Sequence, residues 1–62
     1  MMSYQTDNGV AKVEPQGPDF WLVTMPVYGH IREMWVAAPF ADEAAQKAHQ
    51  FWYGKSTKTT KI

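Results

Sequence analysis

Four strand-forming residues run without a break at Phe20-Trp21-Leu22-Val23, which predicts a β-strand over Asp19 to Thr24. Side chains in a strand alternate between faces, so Phe20 and Leu22 share one side, and Trp21, Val23 and Met25 the other. Pro26 cannot donate a ladder bond and either ends this strand or marks an edge. Val27-Tyr28-Gly29-His30 follows as a turn, with Gly29 free to take positive φ. Ile31 to Ala38 predicts a second strand, the hairpin partner of the first. It carries Met34, Val36 and Ala38 on one face and Ile31, Glu33, Trp35 and Ala37 on the other. Met34 and Val36, opposite Phe20 and Leu22 or their register mates, are the residues expected to meet a helix.

The helix comes next. Pro39-Phe40 breaks the strand, and Asp42-Glu43 places two carboxylates where the positive end of a helix dipole favours them. Ala44, Ala45, Ala48, Phe51 and Trp52 recur at spacings of one apolar stripe. Phe40 is expected to pack back on the helix as a hydrophobic staple. Gly54 is expected to close the helix in the left-handed conformation, with Lys47 and Lys55 near its negative end. Beyond it, the threonine-rich stretch Ser56 to Ile62 reads as a third strand beside the hairpin or a frayed tail. At the other end, Met1 to Pro18 reads as a loosely structured segment with turn signals at Asp7-Asn8-Gly9 and Pro15-Gln16-Gly17-Pro18. Val10 to Glu14 could add a short edge strand between them. The expected fold class is therefore α+β: residues 19–62 form one domain in β-β-α-β order, a small antiparallel sheet with one helix packed on one face.

Length sharpens this picture. A chain of 62 residues holds one domain, and folding hides only about 60% of the surface that so short a chain exposes when unfolded. Small domains add disulfides, a metal or a partner. With no cysteine, disulfides and cysteine-based zinc sites are excluded. Aromatic packing or association remains, and the chain has three each of Phe, Trp and Tyr, 15% of its residues. The formal net charge is zero, which counts against a generic nucleic-acid binder, whose affinity comes largely from phosphate neutralisation. No apolar run is long enough to span a bilayer and Met1 to Asn8 lacks a secretion-signal core, so the expected location is the cytoplasm.

Little in the sequence points to catalysis. His30 and His49 fall in a turn and on a helix, and no third ligand is selected for a metal by spacing. Asp42 and Glu43 point about 100° apart on a helix and are explained by its start. Gly54-Lys55-Ser56 resembles the end of a phosphate loop but follows a helix instead of opening one. No cofactor is expected. Two surface features remain. If Phe20, Leu22, Met34, Val36, Phe51 and Trp52 make the core, Trp21 and Trp35 lie on the opposite sheet face as an apolar patch, unless Val10–Glu14 or the tail covers it. Lys55, Lys58 and Lys61, beside Arg32, form a cationic group that either protects an edge strand or meets a partner.

From Phe20-Trp21 to Lys61 the chain resembles the very small phage-encoded inhibitors of bacterial RNA polymerase found in short-tailed lytic coliphages. The resemblance rests on a Phe-Trp pair opening the first strand, a second strand with Glu33 that ends in Ala38, and the Asp42-Glu43-Ala44 helix start. It continues through Ala48, the Phe51-Trp52-Tyr53 aromatics, Gly54 and a basic last strand. It covers about 40 residues of a frame that many small α+β domains share. The resemblance implies a β-β-α-β fold that binds the jaw of the polymerase β′ subunit in the host cytoplasm and blocks promoter opening. It places basic contacts at Lys61, with Thr59 at the other basic position and Lys58 one residue off, and a thin acidic strip at Glu33, Asp42 and Glu43.

The sequence thus favours a non-enzymatic protein-binding module, with Arg32, Glu33, Trp35, Trp21, Lys58 and Lys61 as candidate partner contacts. A small DNA- or RNA-binding domain using the basic final strand, and a self-associating domain using the tryptophan face, are the alternatives.

Overall fold

The computed structural model describes residues 1–62, with the order β1 (Met2–Thr6), β2 (Gly9–Gly17), β3 (Phe20–Val27), β4 (His30–Ala37), α1 (Ala41–Tyr53) and β5 (Thr60–Lys61). All strand pairs are antiparallel, and they form one sheet in the order β4-β3-β2-β1-β5. The helix packs across one face, so the class is the α+β arrangement expected, with β3-β4-α1-β5 preceded by two more strands.

Those two strands correct the reading of residues 1–18 as loose. Met2, Tyr4 and Thr6 alternate inward against Ala11 and Val13, joined through Met2↔Val13, Tyr4↔Ala11 and Thr6↔Gly9. Between them lies the Asp7-Asn8-Gly9 turn, a strong hairpin signal when strand-forming alternation flanks it. β2 is a central strand and not an edge. The last strand is correspondingly displaced: β5 pairs with β1 through Tyr4↔Lys61 and Gln5↔Thr60, at the far end of the sheet from β4.

The β3–β4 hairpin closes through Val27↔His30 around Tyr28-Gly29, both at positive φ (49° and 84°), the geometry whose twist matches that of the strands it joins. This register decides the faces. Trp21 sits opposite Val36 and Val23 opposite Met34, so Trp21, Val23 and Met25 face the helix, and Phe20 and Leu22 turn away from it. Met34 and Val36 face the helix as expected; Phe20 and Leu22 do not.

The core therefore lies between Tyr4, Ala11, Val13, Val23, Met25, Val27, Val36 and Ala38 of the sheet side and Ala41, Ala44, Ala45 and Ala48 of the helix. Alanines let the helix axis approach the sheet closely, while Met2, Trp21, Met34, Trp52 and Tyr53 fill the margins. Phe51, expected in the core, is exposed, and so is Phe40: it is the N-cap residue, and its carbonyl accepts the Ala44 N–H at 3.1 Å while its ring stays in solvent. Gly54 closes the helix at φ 72° with its N–H on the Gln50 carbonyl, as predicted. No basic residue lies in the last helical turn; Lys47 instead donates to the Ala37 carbonyl at the end of β4. No helix is long and apolar enough to cross a membrane.

Candidate protein-binding surface

With α1 on one side, the other face of the sheet is uncovered. The pairs that build it are Phe20↔Ala37, Leu22↔Trp35, Thr24↔Glu33 and Pro26↔Ile31. Diagonal neighbours on such a ladder lie within reach of aromatic side chains, and the Phe20 and Trp35 rings stack, with centroids 5.4 Å apart and planes 11° from parallel. Trp35 is 57% exposed and Ile31 69%. Val10 on β2 extends the apolar area. Its charges come from Lys12 and Glu14 of β2, aligned through Thr24 and Leu22 with Glu33 and Trp35 of β4. Two carboxylates against one ammonium make this face slightly acidic, a poor match for a phosphate backbone.

The residues singled out from sequence do not form one cluster. Glu33 and Trp35 lie together on the open face. Arg32 is exposed on the same strand but on the helix side, since it pairs with the buried Met25. Trp21 is half-buried on the helix side, where its Nε1 donates to the Ala38 carbonyl at 2.7 Å. That bond holds the end of β4 down at the approach to α1 and removes Trp21 from any open-face patch. Lys61 is on β5, and Lys58 in the segment before it, at the opposite edge from Arg32. Four strand spacings separate these edges, about 19 Å. The expected cationic group beside Arg32 is therefore split. The acidic positions implied by the resemblance are split likewise, with Glu33 on the open face and Asp42 and Glu43 at the start of the helix.

Sequence reasoning placed Ile31 on the same face as Trp35, as found, but missed Phe20, Leu22, Val10, Lys12 and Glu14 as members of it. The signal was the turn itself: a two-residue connection at Tyr28-Gly29 pairs even with odd positions, and that alone puts Phe20 and Leu22 beside Trp35.

The two histidines are far from equivalent. His30 is exposed at the hairpin end, whereas His49 is fully buried. The His49 Nδ1 lies 3.0 Å from the Lys55 carbonyl and its Nε2 2.6 Å from the Asn8 side chain. A carbonyl only accepts, so Nδ1 carries a proton there, and the Asn8 amide can present oxygen or nitrogen to Nε2. His49 thus ties the β1–β2 turn and the chain after the helix to α1. Thr57 reinforces this tie by accepting the Asp7 N–H at 2.9 Å, and the Ile62 N–H reaches the Ser3 carbonyl. No three His, Asp or Glu side chains gather as a metal-binding group, and no pocket indents the surface. Comparison with protein-family models, with curated proteins and with solved structures finds no match for this chain.

Proposed function

We propose that this chain is a non-enzymatic protein-binding module that recognises its partner with the open face of its sheet, around the Phe20–Trp35 stack. The observation that carries the reading is that stack. Two large rings lie face to face on the open side of a strand pair that needs neither for its core, Trp35 57% and Phe20 38% exposed. Tryptophan truncated at the centre of an interface commonly costs more than about 2 kcal/mol of binding, and the stacked rings are bordered by Glu14 on the β2 side and by Glu33 and Lys12 toward the hairpin, a polar margin on two sides of an apolar centre. The acidic balance of the face favours a protein over a nucleic acid as its partner.

The partner class comes from the resemblance of residues 20–61 to the phage inhibitors of bacterial RNA polymerase. On this proposal the chain acts in the bacterial cytoplasm and inhibits transcription by docking on the polymerase β′ subunit. Titration of purified bacterial RNA polymerase with the labelled chain tests both parts. Binding is expected, and Trp35→Ser is expected to weaken it by more than about tenfold. No binding to polymerase would remove the partner; binding that Trp35→Ser leaves unchanged would remove the face. Affinity that collapses between low and physiological salt, on DNA in place of polymerase, would favour a nucleic-acid module.

A further inference from the structure

The two edges of this sheet differ in kind. β5 is two residues long, ends the sheet beside β1 and carries Lys61. β4 runs for eight residues, and between His30 and Ala37 it has no proline, no lysine and no bulge; its only charges are Arg32 on the helix side and Glu33 on the open face, of opposite sign. The direction of its free groups follows from the ladder. Ala38 donates its N–H to the Asp19 carbonyl, and bonding alternates along an antiparallel pair. Val36, Met34 and Arg32 therefore bond to β3, and Ile31, Glu33, Trp35 and Ala37 turn their N–H and C=O groups outward, the Ala37 carbonyl already accepting from Lys47 Nζ at 3.1 Å.

We infer that β4 pairs with β4 of a second copy, antiparallel and centred on Met34, to make one continuous sheet across a two-fold axis. Parity and charge select this register. Outward-bonding residues must oppose one another, which leaves two long overlaps. One places Glu33 directly opposite Glu33 of the second copy, a like-charge pair that destabilises a ladder. The other places Met34 opposite Met34, Glu33 opposite Trp35, Arg32 opposite Val36 and Ile31 opposite Ala37, with no like charges facing. Of the shorter overlaps, the one that meets at Arg32 puts two guanidinium groups together, and the one that meets at Trp35 faces no like charges but forms only about six ladder bonds. In the Met34-centred register about eight ladder bonds form, two of them to Ala37 carbonyls that Lys47 also reaches, and both helices lie on the same side of the joined sheet. The open faces then merge. The Trp35 side chains of the two copies become diagonal neighbours, so the two Phe20–Trp35 stacks form one apolar strip.

Sedimentation of the full chain from micromolar to millimolar concentration tests this. The expected result is a doubled mass at the upper end. Glu33→Pro removes an outward N–H without removing a bond to β3, and is expected to abolish the doubled mass while leaving the far-UV dichroism unchanged. The chain has no cysteine of its own, so single cysteines report the register. Met34→Cys lies at a non-hydrogen-bonded cross-strand position of about 4.5 Å between Cα atoms, within disulfide range, and is expected to cross-link several-fold faster than Glu33→Cys. Should Glu33→Pro fail to fold, hydrogen exchange on the unaltered chain reads the same edge: the amides of Ile31, Glu33, Trp35 and Ala37 are expected to slow as concentration rises. A strict monomer at millimolar concentration, unchanged exchange at those amides, or faster cross-linking at residue 33 than at 34 would overturn the inference. So would a dimer that survives Glu33→Pro but is lost in Phe20→Ser, which would place the copies face to face.

Discussion

Two tryptophans packed against the same core illustrate how much a single hydrogen bond decides. Trp21 Nε1 has the Ala38 carbonyl at 2.7 Å, whereas Trp52 Nε1 is buried with no partner. Both changes to phenylalanine remove similar ring surface. Only Trp21→Phe also leaves a carbonyl unpaired, and Trp52→Phe removes an unsatisfied donor, so Trp21→Phe is expected to be the more destabilising by about 1–3 kcal/mol in chemical denaturation. His49 offers a second case. Asn8→Ala is expected to cost about 1–2 kcal/mol, and a double-mutant cycle with His49→Gln is expected to show coupling between the two sites; strict additivity would mean that the 2.6 Å contact contributes nothing. A fully buried histidine was not distinguishable from an exposed one by sequence, because its partners, Asn8 and Lys55, come from a turn and a loop whose approach to α1 depends on the whole sheet.

At the scale of elements, most of the chain was legible and the failures have definite causes. β3, β4 and α1 were predicted within a few residues, because Phe20–Val23, the two-residue turn and the alanine stripe each carry a local signal. β1 was missed because its inward residues include Thr6 and its outward ones are Ser3 and Gln5; polar strand formers mute the contrast on which alternation depends. The faces of β3 were misassigned because every position from 20 to 23 is apolar, and only the turn register distinguishes them. Glycines at the turns give a test of the hairpins. Gly9 has φ 115°, and a Cβ there would come within 2.7 Å of Pro26 Cγ, whereas Gly17 has open space around it and ordinary φ. Gly9→Ala is expected to destabilise by more than about 1 kcal/mol, from backbone strain alone before the contact with the Pro26 ring is counted. Gly17→Ala is expected to be neutral, or to stabilise by up to about 1 kcal/mol through the unfolded chain. Thermal melts of the two variants side by side would show the contrast, and equal effects would contradict the assigned β1–β2 turn.

The whole molecule is one sheet covered on one side, and its two strands nearest the amino terminus lie inside that sheet. Deleting residues 1–17 is therefore expected to abolish cooperative unfolding, since it removes Tyr4, Thr6, Ala11 and Val13 from the core and the strand on which β5 docks. A truncated chain that still melted cooperatively would restore the picture of a loose amino-terminal tail. The same one-sided cover leaves the Phe20–Trp35 stack outside the core, and the reading of that stack as a recognition surface depends on it. The direct measurement is the unfolding free energy of the double variant Phe20→Ser, Trp35→Ser by urea titration. Two rings that serve only each other across a strand pair are expected to cost no more than about 1–2 kcal/mol together. A loss of about 3–5 kcal/mol for each ring, the value for aromatic residues removed from a core, would show that they hold the fold together, and the open face would lose its claim to be a binding site.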